Sequence, residues 1–139
     1  MTARTLVRPK VLATGTASIA TATTVNVDFG TPDDVKVAPG ANWSPGDRLV
    51  VVITASTAGT TDTTTFSVQD APDSAGSIGT PATAVTTGSL AGGTGNLYAV
   101  VGIQLQPGRP WIRVRATRGS GTTDTHVIRA VLLAIPHNI

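Results

Sequence analysis

Apolar residues recur at every second position in a series of short segments, and turn residues separate each segment from the next. A period of two is typical of strands that bury one face. About eight such segments follow one another, at 23–29, 34–38, 48–56, 64–71, 82–90, 96–105, 110–117 and 125–135. Turn signals at intervals of about 8–12 residues are expected of a sandwich or jelly roll. The spacing therefore predicts an all-β, antiparallel jelly-roll or β-sandwich with about eight strands.

The composition argues against a helical fold and limits which residue types can form the core. Of the 139 residues, 24 are Thr and 15 are Gly, whereas Lys occurs twice and Glu is absent. β-Branched and turn residues thus replace the strong helix formers. Aromatic residues make up only 4%, so the core must consist mainly of Val, Ile, Leu and Ala. The most apolar segment, RLVVVITAS at 48–56, is predicted to be a central strand with both faces covered.

The first residues differ from the rest of the chain. Residues 1–16 have no clean period and carry Arg4, Arg8 and Lys10. We expect an extended N-terminal arm over 1–16 and a single domain over 17–139. The arm lacks the apolar stretch of a secretory signal, and the longest apolar runs are far shorter than the ~20 residues that span a bilayer. We therefore expect a soluble protein, made in the cytoplasm, with no membrane partner.

The residues that could carry catalysis or bind a metal are few. Asp124 and His126 would share a strand face, as part of a Ser-His-Asp arrangement, but no Ser lies in a nucleophile-elbow sequence. The chain has no Cys and only two His, which excludes the usual zinc clusters. Its glycine-rich stretch at 91–95 has no Lys and no following helix to hold a phosphate. We predict no enzyme activity, no catalytic residue, no metal and no cofactor.

The stretch RPWIRVRATRGSG at 109–121 concentrates positive charge, because five of the ten basic residues lie between 109 and 129. Residues two apart in a strand share a face. One face, predicted to point to the core, carries Ile112, Val114 and Ala116. The other, predicted to point outward, carries Trp111, Arg113, Arg115 and Thr117. Trp and Arg are enriched at the energetic centres of protein interfaces.

We therefore predict a protein interface formed by the arm and by this strand. Its candidate residues are Arg4, Arg8, Lys10, Arg109, Trp111, Arg113, Arg115 and Arg118. Two other interpretations remain open: a solvated sheet face whose arginines prevent aggregation, and a surface for nucleic acid or a glycan. Nucleic acid is not favoured, because the formal charge is only +2 and stacking aromatics are scarce.

The order of segments also resembles a known family. A Thr/Ala-rich first strand, TASIATATTVNVDFG, is followed by SPGDRLVVVITAS, TTTFSVQDAPDSAGS, TPATAVTTGSL, VVGIQLQPGRPWIRVRAT and the closing HVIRAVLLAI. This succession, which covers nearly the whole chain after the arm, resembles the small jelly-roll cement proteins of tailed-phage capsids. The pattern is one of strand order and turn placement, without a catalytic signature.

The resemblance implies a structural capsid decoration protein. It would bind the outside of a shell whose major capsid protein has the HK97-like fold, bridge neighbouring subunits and stabilise the shell, often as a homodimer. The implied location is the capsid exterior of the virion, without nucleic acid as a partner. The alternative from the residues is a ligand-binding jelly roll, such as a carbohydrate-binding or receptor-binding domain of a phage tail.

Overall fold

The structure, a computed structural model, describes residues 10–19, 24–30, 34–37, 48–57, 63–87, 90–91, 95–119 and 126–135. This part of the chain contains twelve strands and no helix, in agreement with the all-β prediction. The strands are β1 (Lys10–Ile19), β2 (Thr24–Asn26), β3 (Val35–Lys36), β4 (Arg48–Thr57), β5 (Thr63–Ala71), β6 (Asp73–Ser74), β7 (Ser77–Ile78), β8 (Ala82–Thr86), β9 (Leu90–Ala91), β10 (Gly95–Ile103), β11 (Trp111–Arg118) and β12 (His126–Ile135).

Two antiparallel sheets form the sandwich. The first, which we call sheet A, has the strand order β1-β12-β4-β10. The second, sheet B, has the order β2-β11-β5-β8, with β3 also paired to β11 and β9 also paired to β5. Strands β2 and β3 both pair with β11 and together act as one interrupted strand, as do β8 and β9, which both pair with β5. Without the small β6–β7 hairpin, the described chain therefore has eight principal strands. Their order is that of a jelly roll.

The core lies between the two sheets and is aliphatic, as the composition predicts. Alternate residues of the central strands enter it, so that Leu49, Val51 and Ile53 of β4 are fully buried. Sheet B contributes Phe66 and Val68 from the same face of β5. Burying aliphatic side chains of this size contributes about 1.5–3 kcal/mol each, which is the main favourable term for a chain without disulfides.

The sheet takes in residues that we expected in the arm. Strand β1 begins at Lys10 and pairs with β12 from Lys10↔Ala134 to Ile19↔His126, so the domain boundary at residue 16 is wrong. The alternating pattern is interrupted at Leu12 because the pairing register shifts between Val11 and Ala13. A bulge of this kind hides the period of two from a sequence pattern. Residues 1–9, with Arg4 and Arg8, lie outside the described residues.

One crossing point joins the sheets along their β1–β2 side. The backbone N of Thr16 donates to the Asp28 carbonyl at 3.0 Å, and the backbone N of Asp28 donates to the Thr16 carbonyl at 2.9 Å. Gly15 is required here, since a Cβ at this position would lie 2.7 Å from both the Asp28 carbonyl oxygen and Val27 Cγ1. The missing side chain lets the two strands approach closely.

Candidate interaction surfaces

Strand β11 lies centrally in sheet B, and its inner face is as predicted. Ile112, Val114 and Ala116 are fully buried in the core. The neighbours of β11 are β5, with Arg113 opposite Gln69, and the interrupted strand β2–β3. The outer face of β11 is the one that we expected to be available to a partner.

Trp111 does not point into solvent, so that prediction is wrong. Its side chain is only 4% exposed because the β6–β7 hairpin and β3 cover it. The indole Nε1 donates to Asp73 Oδ1 at 2.9 Å, and Lys36 Nζ lies 5.7 Å from the ring centroid. The hairpin itself turns through Ala75 and Gly76, which both have positive φ, of 52° and 88°. This is the backbone twist that tight hairpins favour.

Trp111, Lys36 and Asp73 form a cluster that lowers the pKa of the Asp73 carboxylate. Lys36 Nζ lies 2.9 Å from Asp73 Oδ1. The hydrogen bond from Lys36, with further hydrogen bonds from Trp111 and from the backbone N of Gly76, lowers the pKa of Asp73 from 3.8 to about 2. Donors that face a carboxylate stabilise its charged form. The cluster pins the hairpin to sheet B.

Two of the predicted interface arginines hold internal carboxylates instead. Arg113 donates from Nε to Asp34 Oδ1 at 2.7 Å and from Nη2 to Oδ2 at 3.1 Å. Arg109 donates from Nε to Asp70 Oδ1 at 2.6 Å and from Nη2 to the Asp70 carbonyl at 2.8 Å. Both aspartates are buried. Charge-assisted pairs of this geometry are strong and directional. Arg113 therefore holds the residue that precedes β3 against β11, and Arg109 holds the segment that precedes β11 against β5.

The other predicted interface residues within the described chain lie on both sheets: Arg115 and Arg118 on sheet B, and Lys10 on sheet A. Arg115 and Arg118 are half-buried on β11, and no carboxylate of the described chain pairs with Arg115. The Arg115 Nε atom is buried without a hydrogen bond. Lys10 is exposed at the start of β1. Of the predicted strand surface, Arg115 and the exposed Thr117 are thus the members that remain accessible without a described ion pair.

A different surface is apolar. The four large hydrophobic side chains most exposed in the described chain are Tyr98, at 75%, Val100, at 65%, Val11, at 58%, and Val127, at 43%. All four point outward from sheet A, away from the core. We call this outward side the apolar face, and its members are Val11, Val50, Val52, Tyr98, Val100, Val127, Val131, Leu133 and Ile135.

Residues paired across strands make most of this face continuous, whereas Val127 pairs with Ser18 and Ser56 and is separated from Val131 by Arg129. Val11, Leu133 and Val50 are successive partners from β1 to β12 to β4, and Val131, Val52 and Val100 form the next row. The prediction that β4 is central is correct, since it lies between β12 and β10. The described fold covers only its inner face. The Val run at 50–52 is the sequence signal for this surface, and the prediction that both faces of β4 are covered is wrong, because Val50 and Val52 lie on the outward side of sheet A.

The catalytic candidate lies in the core. His126 is fully buried, and its Nδ1 is 2.9 Å from Thr64 Oγ1. A side chain in this position cannot reach a dissolved substrate. Asp124, the other member of the pair considered, lies outside the described residues. Among the described side chains, no group of three or more His, Asp or Glu could hold a metal ion.

The architecture and the surfaces together define a jelly-roll β-sandwich with one apolar and one polar outer face. Comparisons of the chain with protein-family models, with curated proteins and with solved structures found no match. Over the described ranges, no helix has the length and apolar character needed to cross a membrane.

Proposed function

We propose that the chain is a structural cement protein that binds the outer surface of a tailed-phage shell and bridges its major capsid protein subunits, which would have the HK97-like fold. The observation that carries the proposal is the apolar face. Single soluble chains rarely leave a contiguous apolar surface of this extent in water, and such surfaces mark contacts with other macromolecules. The resemblance in strand order to cement proteins of tailed-phage capsids supports a major capsid protein as the partner.

The interior of the protein supports a contact role. The described core is filled by apolar side chains, and three pairs of polar groups beside it are joined: Arg113 with Asp34, Arg109 with Asp70, and Thr64 with His126. Gln69 Oε1 and Arg115 Nε are buried without a hydrogen bond. A stable scaffold that offers its outer faces suits a protein present in many copies, because avidity multiplies modest contacts. The proposal includes location on the capsid exterior and assembly as a homo-oligomer, with the dimer favoured, and it assigns no catalytic role.

The test is co-sedimentation of the purified chain with shells that lack it. Saturable binding at a fixed ratio to the major capsid protein, together with a higher temperature of shell disruption, would support the proposal. Shells already saturated with the untagged chain are the control, because they should exclude a labelled copy. A wild-type chain that fails to sediment with vacant shells at any salt concentration would refute it.

A ligand-binding jelly roll remains the second candidate, because one surface pocket has a suitable size. Its volume is about 440 Å³, and Asp70, Thr83, Gln104, Gln106 and Arg109 supply its polar groups. Small-molecule sites commonly have volumes of about 300–1,000 Å³. Asp70 and Arg109 bond to each other and Thr83 accepts a hydrogen bond from Gln69, so Gln104 and Gln106 are the polar side chains of the pocket without a partner among the described residues. Binding on a glycan array that disappears when Gln104 and Gln106 are both replaced by Ala would favour this candidate.

A further inference from the structure

The outward side of sheet A, which carries the apolar face, approaches the area of a specific protein interface. The whole outward side of sheet A, with four strands about 4.8 Å apart and five rows of outward side chains about 6.8 Å apart, has an area of roughly 650 Å². The apolar face shares this area with outward polar residues, namely Thr14, Thr16, Ser18, Arg48, Thr54 and Arg129. Each partner contributes about 800 Å² to an interface of standard size. The outward side of sheet A as a whole thus approaches the area that one stable contact requires, and the apolar face supplies part of it.

The charges within this face all have one sign. Arg48 and Arg129 point outward on β4 and β12, where both are exposed, and no described Asp points outward from the four strands of sheet A. No carboxylate of the described chain forms an ion pair with either arginine. Arg129 also lines a surface groove with Thr14, Thr16 and Val131. Asp28 lies at this groove beyond the β1 edge, where its Oδ1 accepts a hydrogen bond from the backbone N of Gly30 at 2.7 Å.

These positive charges disfavour two possible partners of the apolar face: a second copy of the chain, and the chain's own N-terminal residues. In a two-fold dimer the same patch meets itself, so the second copy brings two more arginines and no carboxylate from its described sheet A strands. Like charges brought together at an interface cost binding free energy. The chain's own first residues carry Arg4 and Arg8 and would add further positive charge. Neither residues 1–9 nor the described strands of sheet A in a second copy supply a carboxylate to the two arginines.

We propose that the apolar face is the shell-binding surface, and that it takes an apolar protein surface with carboxylates placed opposite Arg48 and Arg129. This inference rests on the proposed function and adds which side of the sandwich docks and the chemistry of the surface it docks on. The apolar rows supply the affinity, and the arginines fix the register and speed the encounter. Sheet B, with Arg115, faces away from the shell.

The experiment measures co-sedimentation with vacant shells at low and high salt. The apolar variant is the double substitution Val52→Thr with Val100→Thr, which keeps the side-chain shape and the strand propensity. The charge variant is Arg129→Glu, and its matched control is Arg115→Glu, at an outward position of the opposite sheet. Urea unfolding of every variant, followed by circular dichroism, establishes that each one is folded.

We expect the apolar variant and Arg129→Glu each to weaken shell binding about tenfold or more, which is about 1.4 kcal/mol. Arg115→Glu should stay within about threefold of wild type, and Arg129→Lys should retain most of the binding. Wild-type affinity should fall with salt, whereas that of Arg129→Glu should change less.

Three results would overturn the inference, and they differ in whether the proposed function is refuted as well. Wild-type binding that persists in the sheet A variants and is lost in Arg115→Glu would place the contact on sheet B and leave the proposed function intact. A concentration-dependent dimer in sedimentation velocity that the Val52→Thr, Val100→Thr variant abolishes would make a second copy the occupant. Absence of wild-type binding to vacant shells would remove the proposed function and this inference together.

Discussion

Truncating Arg113 tests whether the arginines of β11 serve the fold. The substitution Arg113→Ala removes both hydrogen bonds to Asp34, at 2.7 and 3.1 Å, and leaves that carboxylate with a side chain only 5% exposed. Removing one partner of a fully buried pair costs about 3–5 kcal/mol. The Arg113 side chain is 22% exposed, so water can reach part of the vacated space. We therefore expect a loss of about 2–3 kcal/mol in the free energy of unfolding.

The assay is urea unfolding followed by circular dichroism, with the midpoint and slope fitted together. Arg115→Ala is the control, since it lies on the same face of the same strand and forms no described ion pair. Its expected cost is at most about 1 kcal/mol. The double variant Arg113→Ala with Asp34→Ala should lose less than the sum of the two single variants, because no unpaired carboxylate remains buried. Equal losses for Arg113→Ala and Arg115→Ala would refute the reasoning.

Three further predictions follow from the surfaces and the crossing strands. Gly15→Ala should cost about 2–3 kcal/mol in urea unfolding, because its Cβ would collide with backbone, whereas Gly102→Ala, with nothing within 4 Å, should be neutral or stabilising by up to about 1 kcal/mol. Because the folded-state pKa of Asp73 is lowered to about 2, its stabilising contribution is complete above its ordinary pKa of 3.8 and is lost as pH falls through 2. A carboxyl NMR titration should show Lys36→Ala raising that pKa, and an unchanged value would contradict the assignment. Val100→Thr should reduce the fluorescence of the apolar dye ANS on the native protein, and undiminished fluorescence would mean that the dye binds elsewhere.

The inner faces of the strands were predictable because burial follows a local pattern. Ile112, Val114 and Ala116 alternate with polar neighbours, and so do Phe66 and Val68. A strand places successive side chains on opposite sides, so an alternating sequence specifies the buried set without knowledge of its neighbours. The bulge at Leu12 shows the limit of this argument, since one shifted residue concealed a strand that begins at Lys10.

The outer faces were not predictable from the same pattern. Trp111 was expected outward because it alternates with Ile112, and the alternation is correct, but a hairpin some 38 residues away in sequence covers its ring. Arg109 and Arg113 meet carboxylates 39 and 79 residues away. Separations of that size leave no trace in a local sequence pattern.

The sequence alone determined the class of the protein: the positions of the principal strands other than β1, an aliphatic core, an antiparallel sandwich and few residues suited to catalysis. The tertiary structure decided which strands became neighbours, and with them the chemistry of each outer face. Pairing of β1, β12, β4 and β10 gathered valines from distant segments into one apolar face, and the fold brought Arg109 to Asp70 and Arg113 to Asp34. The physical reason is that side-chain alternation is a property of each strand, whereas a surface exists only after long-range pairing.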